Sequence, residues 1–131
     1  MSLTRQELSV PGLNPPISHY TDAVRFGNLL FISGIGPLAE DGSLVGRDDV
    51  AEQARQIFRN MQRVLEAAGA TFADVLKVTV YLTDVDDRTA INPVRQEYFK
   101  AARPASTLIE VSRLAVPGMK VEIEAVVGMP S

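Results

Sequence analysis

The 131-residue chain contains no cysteine. That absence removes disulfides, thiolate metal sites and thiol nucleophiles together. It has one histidine, His19, so zinc-hydrolase centres and Ser-His-Asp arrangements lack their usual parts. A lone His beside Tyr20 reads as a loop residue, and no metal site is expected. No apolar run approaches the ~20 residues that a bilayer-spanning helix needs. The opening MSLTRQELSV lacks the basic, apolar, small-residue order of a secretory leader, which makes the cytoplasm the expected compartment. Positive charge is also scarce: 13 Lys and Arg against 16 Asp and Glu leave a net charge of −3. The basic residues are scattered singly along the chain, which argues against a nucleic-acid partner, since that normally needs a clustered Lys/Arg face.

What is present is the composition of a globular domain, 46% hydrophobic and 22% charged, long enough to bury a core without staples. One domain over residues 1–131 is expected, with no repeat or low-complexity segment. Residues 5–10 and 21–26 read as short strands around the Pro11, Gly12, Pro15, Pro16 loop. After a turn at Gly27-Asn28, Leu29-Leu30-Phe31-Ile32 is apolar on consecutive residues, the pattern of a strand buried on both faces, ending at Ser33-Gly34. Val50, Ala54, Ile57, Met61, Val64, Leu65 and Ala68 recur at three- and four-residue steps and predict a helix over 49–68, capped by Asp48 or Asp49 and ended by Gly69.

Beyond Thr71, a plausible cap, Val78, Val80 and Leu82 alternate with Lys77, Thr79 and Tyr81, predicting a strand with one core face. Asn92-Pro93 reads as an N-cap followed by proline at the first helical position, opening a short helix to about Lys100. Strands at 107–111 and 121–127 complete the chain. The order predicts an α+β fold, a six-stranded mixed sheet with two helices on one face. Two helices cannot cover both faces of such a sheet, so the second face meets water or another subunit, and the apolar 29–32 run favours a subunit.

The segment 103–127, RPASTLIEVSRLAVPGMKVEIEAVV, resembles the signature of the RidA family, also called YjgF or endoribonuclease L-PSP. In that signature Pro-Ala-Arg-Ser precedes Glu-Val-x-Arg-Leu and Ile-Glu-Ile-Glu-Ala. Pro104-Ala105, Glu110-Val111, Arg113-Leu114 and Glu122-Ile123-Glu124-Ala125 match it. The likeness covers nearly the whole chain. It implies a chorismate-mutase-like fold, a homotrimer whose sheets form a barrel, small-molecule clefts between neighbouring subunits, and no cofactor.

The same resemblance places Tyr20, Ser33, Gly34 and Asn92 in that cleft, with Glu122 as the catalytic carboxylate that holds or polarises the attacking water. Each also has a structural reading: Tyr20 packing under the 11–19 loop, Ser33-Gly34 as a strand end, Asn92 as a cap. Strand alternation puts Glu122 and Glu124 on one face, where mutual repulsion raises a carboxylate pKa and suits it to acid/base work. The other reading is that both pair with cations on neighbouring strands.

One position departs from the family. Its arginine, which grips the carboxylate of an imino acid, is replaced by Ser106. Ser106 and Thr107 can still donate hydroxyl hydrogen bonds, but losing a charge-assisted pair worth about 1.5–3 kcal/mol predicts a ten- to hundredfold weaker grip on small imino acids. Arg103, or Arg95 of a neighbouring subunit, is a candidate replacement. The functional expectation is a RidA-like imine or enamine deaminase with altered substrate. The alternatives are a non-catalytic small-ligand-binding or protein-protecting trimer, and a 2-aminomuconate-deaminase-like enzyme suggested by the run Ser33 to Pro37. RNA cleavage has little support, with no basic stripe and no second histidine for acid/base work.

Overall fold

The computed structural model describes residues 3–130. Its strands are β1 (Gln6–Leu8), β2 (Ala23–Phe26), β3 (Leu29–Ile35), β4 (Val75–Leu82), β5 (Ala105–Glu110) and β6 (Val121–Gly128), with helices α1 (Val50–Ala68) and α2 (Arg88–Phe99). They form one six-stranded sheet in the order β1-β2-β3-β6-β4-β5. Every neighbouring pair is antiparallel except β4 and β5, which run parallel. A parallel pair needs a crossover, and α2 supplies it, so this helix lies over the end of the sheet where β5 begins.

The helix over 49–68 forms as its periodicity predicts. Asp49 caps it, its side chain accepting the Glu52 N–H at 3.1 Å. Gly69 ends it in the left-handed region at φ 82°, where its N–H closes on Glu66 and Leu65 carbonyls. The buried stripe of α1, including Ala54, Ile57, Phe58, Met61, Val64 and Leu65, packs on one face of the sheet against Leu30, Ile32, Val78, Val80, Ile123 and Ala125. Ile91, Val94 and Phe99 of α2 join the same core, and Phe58 meets the rings of Phe72, Tyr98 and Phe99 at 5.3–6.1 Å.

Two expectations fail here. Asn92 is not an N-cap: α2 begins at Arg88 with Asp87 before it, and Pro93 lies inside the helix. A 3-10 turn over Val85–Asp87, capped by the Asp84 side chain on Asp86 N–H at 3.0 Å, has already started the helical winding. Proline costs one internal hydrogen bond, and the buried Ile91 and Val94 hold the helix through it. The 29–32 run is not buried on both faces either. Leu30 and Ile32 are in the core, but Leu29 and Phe31 are 37% and 47% exposed on the face that no helix covers.

Candidate functional site

β3 and β6 fall out of register between Ile32 and Ile35, where Ile32 pairs with Ala125 and Ile35 with Ile123. Ser33 and Gly34 thus form a bulge in β3 opposite the β6 carboxylates, a device that re-aims backbone and side chains locally. Ser33 is tied down, its hydroxyl donating to Thr21 O at 2.5 Å and its N–H to Asp22 O at 3.0 Å. At position 34 a side chain has no room: a Cβ would collide with Glu122 Oε1. Glycine is what lets the Glu122 carboxylate lie against the β3 backbone.

Glu122 is half-buried at the wall of a cavity of about 360 Å³, which Tyr20, Ser33, Gly34, Asn60 and Met119 also line. Burial, and after it the neighbouring Glu124, push its carboxyl above the usual carboxylate range. The raised value expected from the sequence is therefore present, but desolvation outweighs repulsion as its cause. Neither Glu122 nor Glu124 is in an ion pair among the described residues. Tyr81 lies opposite Glu122 on β4, with Glu124 close by; burial first and then the Glu124 carboxylate raise the phenol. Tyr20 serves both of its readings, since its ring lines the cavity while its hydroxyl accepts the Ile17 N–H at 3.3 Å within the 11–19 loop.

Sequence reasoning passed over Asn60. It sits in the apolar stripe of α1, is 3% exposed, and donates to Leu38 O at 2.9 Å and Gly36 O at 3.3 Å. It thereby anchors the wall that follows the bulge. The available signal was an amide at a stripe position, because buried polar groups are almost always bonded.

The remaining candidates lie elsewhere. Asn92, Arg95 and Arg103 line a second cavity of about 270 Å³ beside α2. Arg95 Nη2 donates to Ser106 Oγ at 3.0 Å within the same chain, not from a neighbouring subunit. Thr107 points to the opposite face, where its hydroxyl accepts from Lys77 Nζ at 2.7 Å. The register gives the separation. Ser106 pairs with Val78, Val78 with Ala125, and Glu122 lies three residues further along β6. At ~3.3 Å per residue and ~4.8 Å per strand, Ser106 and Glu122 are roughly 14 Å apart. Ser106 shares the helix-covered face with Val78, while Glu122 alternates to the other side of β6 from the buried Ile123. One small molecule cannot touch both within one chain.

The sequence profile described as Endoribonuclease L-PSP matches residues 12–129. A RutC family protein of Pyrococcus horikoshii is 42% identical over 111 residues, covering 85% of this chain and 87% of that one. The 2-iminobutanoate/2-iminopropanoate deaminase of Homo sapiens is 39% identical over 126 residues, 95% of this chain and 90% of that one. Among solved structures, TdcF of E. coli with bound serine superposes with a TM-score of 0.87 at 29% identity, covering 95% of this chain and 99% of that one.

Proposed function

Since this chain belongs to the endoribonuclease L-PSP (RidA, YjgF) family, we propose that it is a water-dependent deaminase of a small imine or enamine, acting in clefts between the subunits of a homotrimer. The observation that carries this reading is the Glu122 carboxylate, held against Gly34 at a cavity wall with its pKa raised by burial. A base poised nearer neutrality than an ordinary carboxylate both accepts and returns a proton efficiently. Water bound at Glu122 adds to the C=N carbon, its proton passing to the carboxylate. The carboxylate returns that proton to the nitrogen, giving a carbinolamine; the carbinolamine hydroxyl then passes its proton through the same carboxylate to the amine, the C–N bond breaks, and a carbonyl compound and ammonia leave. An enamine reaches the same path after protonation at carbon. The electrons stay within the substrate, so no redox cofactor enters the balance.

Tyr20 and the bulge at Ser33-Gly34 bound the reacting end of the cleft in this reading, and Asn92 and Ser106 belong to the half supplied by the neighbouring copy, while Thr107, turned to the other face and bonded to Lys77, has no part in it. The assembly is supported by the uncovered sheet face. Phe26, Leu29, Phe31 and Leu76 are exposed there on three strands, an apolar cluster of the kind that marks an interaction surface. The 14 Å separation of Glu122 from Ser106 supports it independently, since a neighbour's Ser106 end is what completes a small cleft. Serine in place of the family's arginine alters how the far end of the substrate is held, and with it the substrate range.

The test is ammonia release from 2-iminobutanoate generated in situ, alongside a neutral enamine, for the wild type and Glu122→Gln. Release that depends on Glu122 supports the reading. Binding without turnover across imines and enamines would instead make the protein a ligand-binding trimer.

A further inference from the structure

The second cavity has an unusual electrostatic make-up for an acidic protein. Arg95, Lys100 and Arg103 all line it, together with Asn92, Gln96 and Phe99, and no Asp or Glu does. The basic residues scattered singly in the sequence are thus gathered by the fold. Among the described residues, none of the three is in an ion pair. The nearest acid in sequence, Glu97, is drawn off the other side of α2 to Arg55 of α1 at 3.3 Å.

Arg95 is the residue most committed to this place. It is half-buried, and its one hydrogen bond within the described residues is the 3.0 Å contact to the neutral Ser106 hydroxyl. A guanidinium carries five N–H donors, so most of its capacity is unspent. Burial without a counter-charge pushes its pKa down, the mark of a cation whose environment lacks an anion. Lys100 is brought to the cavity by a non-glycine φ of 55° at the end of α2, a strained conformation of the kind that persists where the surroundings require it. The turn it makes, with Ala102 N–H on Phe99 O at 3.1 Å, leads the chain back so that Arg103 faces the same space.

We propose that this cavity is an anion-binding site that takes the carboxylate of a small organic acid, with Arg95 as principal donor and Ser106 as the residue that positions it. The planar guanidinium fork suits a planar two-oxygen acceptor, and the Asn92 amide, released from capping, lines the same space. A short hydroxyl at 106 is what this arrangement needs: a second guanidinium there would stand beside Arg95 and repel it. Serine therefore moves the cation from strand to helix rather than abolishing it. The link to turnover rests on the deaminase reading, in which the carboxylate held at Arg95 belongs to a substrate whose C=N meets Glu122 of the neighbouring copy.

The experiment measures binding of pyruvate, its neutral amide and inorganic phosphate by calorimetry to the wild type, Arg95→Ala, Arg95→Lys and Ser106→Ala, with thermal melts as a check on folding. Pyruvate should bind the wild type at least tenfold more tightly than the amide, and Arg95→Ala should weaken it about 10- to 100-fold. Arg95→Lys, which keeps the charge but not the fork, should lose several-fold. Ser106→Ala should fall between wild type and Arg95→Ala, with KM raised and kcat little changed wherever turnover is measured, as for a residue acting through uniform binding. Pyruvate binding indifferent to Arg95 in folded variants, or phosphate preferred over pyruvate at this site, would overturn the proposal. Arg95-dependent pyruvate binding without ammonia release from any imine would sink the deaminase reading and leave this one standing. Ammonia release with an unchanged KM in Arg95→Ala would do the reverse.

Discussion

Gly34→Ala isolates the contact on which the proposed chemistry depends. A methyl at 34 would stand 3.0 Å from Glu122 Cδ, 3.4 Å from Cγ, and well inside the contact distance of Oε1. Favourable non-bonded separations are about 3.5–4.0 Å between carbons, so the carboxylate must retreat by on the order of an ångström. What it strikes is the far end of a flexible side chain, and Gly34 is not among the residues with positive φ. The backbone therefore accepts alanine without strain, and Glu122 adjusts at a cost of about 0.5–1.5 kcal/mol, the range of an off-rotamer side chain. For a chain of this length that is a fall of about 2–8 °C in Tm. Catalysis is less forgiving, since a displacement of about 1 Å in a reacting group costs on the order of 100-fold. The variant should melt close to the wild type yet release ammonia from 2-iminobutanoate about 100-fold more slowly. Pairing it with Glu122→Asp, one methylene shorter, should recover part of the loss relative to the two single changes combined. Turnover within twofold of wild type in Gly34→Ala would refute the claim that this glycine sets the carboxylate's position.

Glu122→Gln should abolish turnover and also change the pH dependence of stability. The folded-state pKa of Glu122 lies above its ordinary value of 4.5, so the folded protein binds that proton more tightly than the unfolded chain does. Its ionisation therefore costs stability as pH rises from about that value through the raised one. The glutamine variant should match wild type in melts below pH 4 and exceed it at pH 8; the opposite trend would contradict burial as the cause. Phe31→Glu, on the uncovered face, should shift light scattering from trimer toward monomer, and an unchanged mass would show that this face is not the contact. Gln53→Leu should cost about 2–4 kcal/mol in urea unfolding. The buried amide donates to Gly46 O at 3.1 Å and Gly118 O at 3.0 Å and accepts Lys120 N–H at 2.8 Å; leucine leaves Gly118 O and Lys120 N–H without that partner, while Gly46 O keeps the Asp49 N–H at 2.9 Å. A loss below 1 kcal/mol would mean that the two loops hold without this strap.

The sheet and both helices were legible because the patterns of α1, β4 and β6 are long and clean, with Asp49 and Gly69 marking the ends of α1. Asn92-Pro93 misled because its capping chemistry is generic. The preceding turn at Val85–Asp87 carries little hydrophobic signal, yet it starts the helix. The buried-strand reading of 29–32 failed for a different reason: periodicity reports apolar side chains, and an apolar face that no helix of the same chain covers reads the same as a core. In the site, Glu122 and Gly34 came from motif matches, but their contact depends on a bulge that no sequence pattern announces. The Arg95 to Ser106 contact spans α2 and β5 across a crossover. Eleven residues of separation gave no reason to place Arg95 of the same chain there.

The placing of Glu122 on one face of the sheet, and of Arg95 with its Ser106 partner on the helix-covered face, has a genetic consequence. If each cleft draws its carboxylate from one copy and its guanidinium from the next, a chain lacking either is inactive alone but not defective in the same half. Co-expressed Glu122→Gln and Arg95→Ala chains mixing at random would rebuild about one cleft in four. Two loss-of-function alleles of this gene would then complement each other, whereas two alleles hitting the same half would not.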